Sequence, residues 1–235
     1  MSKKLEDSAK KFDREAFFGP LKAIELVKTN ATAKFDETVE AAFNLGIDPK
    51  QADQGVRGTV SLPHGTGKNV RVLAFAEGEH ARAAEAAGAV LVGGADLAAA
   101  IAAGTQPLDW DVTIAHPSLM AEVGKLGKAL GPRGLMPNPK AGTVTADIGK
   151  AVKEFRGGRV EYRNDRNGNV AVGIGKASFT ADQLKDNLAM LVGEINRVKP
   201  SSSKGRYIKK LTLAPTMGLG VHVDVNTLDE LKEDE

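Results

Sequence analysis

Along this chain the spacing of apolar residues changes from one period to another and then back. Near the start, Leu21, Ile24, Leu26 and Val27 form a rough helical stripe, and Pro20 suits a first turn, where a missing N–H is harmless. Over residues 35–45 the period becomes two. Phe35, Val39, Ala41, Phe43 and Leu45 share one parity, the mark of a half-buried strand, and Glu37 interrupts it. Gly46-Ile47-Asp48-Pro49 reads as a turn, with residues 58–62 as the returning strand.

The texture then shifts. Residues 70–75, 90–92 and 110–115 are short, nearly continuous apolar runs, while 78–87, 96–103, 117–130 and 146–155 read as helices. Strands alternating with helices predict a small parallel α/β layer structure. After Gly157-Gly158 alternation returns, with Val160 and Tyr162, then Val170, Val172 and Ile174. Between these runs lies Asn164-Asp165-Arg166-Asn167-Gly168, whose Asn-Gly pair supplies positive φ cheaply and predicts a hairpin. Leu184, Leu188, Leu191, Ile195 and Val198 share a face of a helix over 180–198, with Thr180 and Asp182 as cap candidates and Pro200 as its stop. Residues 207–213 and 221–225 read as two more strands. The expected architecture is an α+β outer domain, residues 1–66 and 159–235, with an α/β domain of Rossmann-like, parallel-sheet type inserted at 67–158. Periodicity alone fits a string of three domains equally well.

Composition narrows the chemistry. The chain has 235 residues, 42% hydrophobic but only 5% aromatic, so its cores must be built from Val, Leu, Ile and Ala. It has no cysteine, which removes disulfides, thiolate metal sites and cysteine nucleophiles. Residues 1–19 carry basic residues without an apolar centre, and no stretch has the length of a membrane span, so neither a secretory signal nor a membrane partner is expected. The net charge is only +2 because a basic segment is followed by an acidic end. Arg197, Lys199, Lys204, Arg206, Lys209 and Lys210 occur without an acidic residue among them, and residues 229–235 hold five acidic residues and one lysine. Such runs fit a solvated surface and a tail as well as an interaction site.

Catalytic and cofactor motifs are wanting. His64, His80, His116 and His222 show no metal-ligand spacing, and the serines lack the nucleophile elbow of a hydrolase. Gly65-Thr66-Gly67-Lys68 resembles the end of a phosphate loop, but Leu62 stands where a glycine is required and Asn69 where Ser or Thr must reach magnesium. Gly173-Ile174-Gly175 opens a dinucleotide fingerprint but meets Ser178 at its third glycine. Both stretches read as tight turns; no catalytic residue, metal or cofactor is expected.

The most unusual stretch is 127–144, where Pro132, Pro137 and Pro139 forbid regular structure and Arg133 and Lys140 add charge. It fits a rigid surface connection or a preshaped loop facing phosphates. Its centre, Leu130-Gly131-Pro132-Arg133-Gly134-Leu135-Met136-Pro137-Asn138-Pro139-Lys140, resembles the bacterial large-subunit ribosomal protein L-one family, the proteins of the mobile side stalk. So, in order, do Thr32-Ala33-Lys34-Phe35-Asp36-Glu37-Thr38-Val39-Glu40, Leu62-Pro63-His64-Gly65-Thr66-Gly67, Tyr162-Arg163-Asn164-Asp165, Gly175-Lys176 and Thr216-Met217-Gly218.

The resemblance implies a cytoplasmic, non-enzymatic protein, a monomer within the ribosome. Its implied partners are the stalk region of large-subunit rRNA, exit-site tRNA, and the mRNA of its own operon, which it represses. The implied RNA contacts are Lys34, Phe35, Thr38, Asn164, Asp165, Arg166, Thr216, Met217 and Gly218, with Arg133 and Lys140 as an accessory contact. The implied surface forms where the two halves of the outer domain meet. Ala214-Pro215 departs from the family pattern and removes an amide donor there.

Overall fold

The computed structural model describes residues 3–231. In chain order its elements are α1 (Lys3–Ala9), β1 (Phe17–Phe18), α2 (Pro20–Asn30), β2 (Thr38–Leu45), β3 (Arg57–Ser61), β4 (Val72–Phe75), α3 (Gly78–Ala86), β5 (Leu91–Gly93), α4 (Ala95–Ala102), β6 (Val112–Ala115), α5 (Met120–Lys125), α6 (Gly127–Leu130), α7 (Ile148–Arg156), β7 (Arg159–Arg163), β8 (Asn169–Lys176), α8 (Ala181–Arg197), β9 (Ile208–Pro215) and β10 (Val221–Val223), with short 3-10 turns among them. They form two compact units. One runs to Gly67 and resumes at Val160; the other is Lys68–Arg159.

The first unit carries a five-stranded sheet in the order β1-β10-β9-β2-β8. It is mixed: β1 lies parallel to β10, and the remaining pairs are antiparallel. Alternation governs it. Val39, Ala41, Phe43 and Leu45 of β2 point into the core with Val170, Val172 and Ile174 of β8 and Leu211 and Leu213 of β9. Helices α2 and α8 close this one face through Ile24, Val27, Leu184, Leu188, Leu191 and Ile195. Thr180 caps α8: its side chain accepts from the Gln183 amide, and Gln183 answers to the Thr180 amide. Asp182 therefore lies inside the helix and is not its cap. In α2, Leu21 is exposed, and Ala23 takes its expected place in the core.

The second unit is a parallel sheet ordered β5-β4-β6. Its central strand is buried at every position. Val72 and Ala74 pack with Ile114, Ile148, Val152 and Phe155 on the α3–α7 side. Leu73 and Phe75 pack with Leu97, Ile101, Trp110 and Val123 on the other. At the strand mouth, Asp111 accepts hydrogen bonds from Lys68 Nζ (2.7 Å), Arg71 N (3.0 Å) and Arg71 Nε (3.2 Å). Burial alone would raise the pKa of this carboxyl, but those donors hold it down to about 2.

Several expectations are corrected. Residues 58–62 do not return against β2: β3 pairs with β7 in a separate two-stranded sheet, and β2 takes β8 and β9 as neighbours. The predicted hairpin at Asn164–Gly168 is a tight turn without a ladder. The Asp165 amide donates to Asn169 O, but the Asn164 amide donates to Val56 O, which draws the incoming strand β7 into the other sheet. Gly168 does take positive φ, +77°. The single helix expected over 117–130 is a 3-10 turn followed by α5 and α6, broken at Leu126 between the poor helix formers Gly124 and Gly127. The acidic end beyond residue 231 lies outside the described residues.

Candidate functional site

The strand predicted to begin at Phe35 begins at Thr38, and Glu37 is the reason. Its side chain is only 1% exposed. One carboxylate oxygen accepts the Ala33 amide (2.7 Å) and the other accepts the Met217 amide (2.8 Å). A buried carboxylate is tolerable when its charge is met by such donors. Here the two donors lie on either side of the carboxylate in sequence, and one is 180 residues away. The break in strand parity thus marks a clasp between the two halves of the first unit.

Neighbouring residues tighten the clasp. Thr216 Oγ1 accepts the Thr38 amide (3.0 Å) and faces Thr38 O (3.3 Å). Lys176 Nζ donates to Thr38 Oγ1 (2.9 Å). Asp36 accepts from both the amide and the hydroxyl of Ser178. Three segments are fastened here, and two large apolar side chains stand out of the fastening: Phe35 is 55% exposed and Met217 63% exposed. Neither is core, although each could have been on parity or turn grounds. Lys34 is exposed beside them.

Gly218 completes the turn for a packing reason. A side chain there would meet the Pro215 ring at 2.4 Å and Asn30 O at 2.8 Å. Pro215 itself is buried at the end of β9, opposite Val39, and its carbonyl accepts the Gly218 amide (3.3 Å).

The remaining sequence-predicted contacts fall elsewhere. Asn164, Asp165 and Arg166 sit where Leu45 N meets Gly168 O, at the far end of β2. Thr38 pairs with Lys176 and Asn44 with Asn169, so the two clusters lie about 20 Å apart along the strand. Two of the three residues are committed to the turn. Asn164 Oδ1 accepts the Val56 amide (2.8 Å), and Asp165 accepts the Asn167 and Asn169 amides (both 2.8 Å). Hydrogen bonds from Asn169 are the largest cause of the lowered Asp165 pKa. Arg166 is exposed at the tip. Lys210 pairs with Asn44 in register, so part of the basic run shares this end.

Arg133 and Lys140 belong to the second unit. The proline-rich stretch there is pinned, not loose. Leu130 and Leu135 are buried, Thr143 Oγ1 accepts the Asn138 amide (2.7 Å), and Gly142 takes a φ of +63°. Arg133 and Lys140 are exposed on it. The phosphate-loop look-alike is a packed turn: Asn187, fully buried, accepts the His64 amide and donates to the carbonyls of Gly65 and Ile174.

Sequence reasoning missed Glu37 and Lys176 as members of the site. The parity break signalled the first, and the Gly175-Lys176 stretch already matched above contained the second.

Two comparisons bear on this geometry. The sequence model of the Ribosomal protein L1p/L10e family matches residues 26–219, a span that includes both clusters. The "Large ribosomal subunit protein uL1" of Streptomyces virginiae is 54% identical over 234 residues, covering 100% of this chain and 97% of that protein. The proteins of the same name from Streptomyces sp. (strain FRI-5) and Kitasatospora aureofaciens are each 53% identical over the same length, with the same coverage. With its family model matched over residues 26–219 and a relative 54% identical over 234 residues, the chain belongs to the Ribosomal protein L1p/L10e family.

Proposed function

We propose that this protein is a structural constituent of the large ribosomal subunit, working in the cytoplasm. It holds the stalk region of large-subunit rRNA through the clasp of Phe35, Thr38, Thr216 and Met217. The observation that carries this reading is the pairing of exposed apolar side chains with polar groups already fixed in place. Folded RNA is recognised by shape, phosphates and 2′-hydroxyls, and rigid contacts lose little entropy on binding. Thr216 Oγ1 has spent its donor and one lone pair on Thr38. It is left to accept from a 2′-hydroxyl, while Thr38 Oγ1, which takes Lys176 Nζ, is left to donate. Phe35 and Met217 meet a ribose or base face. Lys34, Lys176 and the more distant Arg166 and Lys210 supply phosphate contacts that set register.

In the same reading, Arg133 and Lys140 touch RNA as an accessory contact, and the 67–158 segment acts as an inserted domain of the RNA-binding outer domain. The protein assists release of exit-site tRNA. It also binds the mRNA of its own operon through the same clasp, because that site mimics the rRNA. A titration of the whole chain against the rRNA stalk fragment and a scrambled hairpin tests the reading. The stalk fragment binds more tightly, with affinity falling steeply as salt rises; equal affinity for the two RNAs makes this a general polyanion binder and removes the reading. Competition by the operon leader for the stalk fragment tests the mRNA arm.

A further inference from the structure

The five-stranded sheet of the first unit has a second face that no described helix covers. Glu40 and Ala42 of β2, Ala171 of β8 and Lys210 of β9 are exposed on it, opposite the buried parity. Register aligns one row across its middle: Ala171, Ala42, Thr212, His222 and Phe17. Three small residues make a flat floor, and two rings stand at its end. Phe17 is 62% exposed and stacks on the His222 ring with centroids 5.7 Å apart and planes 30° apart. The imidazole is held by Thr212, whose Oγ1 lies 3.0 Å from Nδ1. β1 is anchored on the other parity, where Phe18 packs against the core and sets its ring edge-on to Phe12. A two-residue strand thus keeps a large apolar ring mostly in water, with one face set against His222. Most of its apolar surface stays hydrated in the free protein.

We propose that this row is a base-stacking platform for single-stranded RNA, a second contact beyond the clasp; it rests on the reading of the chain as an RNA-binding ribosomal protein. Aromatic and histidine rings fixed on an open sheet face stack unpaired bases regardless of sequence, because every base has a π face. Charge orients the strand. Glu40 lies on one side of the ring row, and Lys210 with Asn44 lies on the other. Phosphates therefore run on the Lys210 side, with bases turned over the rings. The same face continues along β2 to Thr38, so the platform lies on the stretch of sheet between the two clusters of candidate RNA residues.

The test uses the full chain and two probes, a fluorescein-labelled unstructured dodecaribonucleotide and the rRNA stalk fragment. It compares the natural protein, Phe17→Leu, and the double variant Phe17→Leu with His222→Leu. Leucine keeps the apolar surface and the strand and removes the π faces, and unchanged thermal unfolding verifies the fold. The expected result is roughly a tenfold loss of dodecaribonucleotide affinity in the double variant, with a smaller loss in the single one. Stalk-fragment affinity stays within about twofold, because the clasp is intact. Equal dodecaribonucleotide binding by natural and leucine proteins overturns the platform, since charge or general apolar contact then explains the binding. So does failure of the natural protein to bind the dodecaribonucleotide while it still binds the stalk fragment. Loss of stalk-fragment binding by the natural protein sinks the RNA reading itself.

Discussion

The two units build their sheets from similar aliphatic residues and use them in opposite ways. In the parallel sheet, β4 is buried at all four positions, because α3 and α7 cover one face and α4 and α5 the other. Nothing on that strand is available to a partner. In the five-stranded sheet the central strand β2 alternates between core and the other face, since α2 and α8 cover a single face. That alternation leaves strand ends and one whole face for display. The clasp of Glu37, Thr38 and Met217 stands at such an end. The difference teaches where recognition can sit: a doubly covered sheet offers only its loops, while a singly covered one offers side chains in fixed register.

The sharpest way to break this contrast is to damage each unit separately. Phe75 fills the parallel sheet's core with no exposure. Phe75→Ala is expected to cost about 3 to 5 kcal/mol of the second unit's stability. Calorimetry reads that loss, and affinity for the stalk fragment stays unchanged at temperatures where the variant remains folded. A proportional loss of affinity would mean that recognition depends on the second unit.

Glu37→Ala gives a smaller change of the opposite kind. Two part-buried amides lose their acceptor, and because water reaches such groups the cost is at the low end for an unsatisfied group, about 1 kcal/mol each. RNA affinity falls with it, and hydrogen exchange at the Ala33 and Met217 amides accelerates. Retained affinity with fast exchange at both amides would show that the clasp is dispensable for binding.

Acid separates the units more gently. The Asp111 pKa is depressed to about 2 from an ordinary 3.8, so the unfolded chain takes up this proton first as pH falls. Its contribution is full above about pH 4 and is lost as pH drops toward about 2. Because Lys68 is mostly exposed, screening leaves about 1 kcal/mol of it. Asp111→Asn removes this slope from the second unit's acid unfolding curve; an unchanged slope would place its origin elsewhere.

What could be read from the sequence was local. The cap candidate Thr180 and the stripe of Leu184, Leu188, Leu191 and Ile195 pointed to α8, and parity to the core side of β2. The positive φ of Gly168 was equally legible. The partner of each strand was not. The turn chemistry at Asn164–Gly168 specifies a reversal, but whether its arms pair depends on Val56, which lies 108 residues before Asn164, donates its amide to Asn164 Oδ1 and accepts the Asn164 amide. β1 was invisible because two residues have no period, and its place is set by β10. Of the site, Phe35, Thr38, Thr216 and Met217 came from family motifs and do converge. Glu37 was legible only as a fault in a pattern, since a strand's parity does not say that a buried carboxylate will meet amides from distant segments.

The most direct measurement is filter binding of the rRNA stalk fragment to the natural protein and to Thr216→Val. Valine keeps the shape of the side chain and removes the hydroxyl that meets the Thr38 backbone and is left to accept from RNA. A loss of about 1 to 3 kcal/mol in binding is predicted, with the second unit's unfolding unchanged. Equal affinity for the two proteins would contradict the assignment of RNA recognition to the clasp.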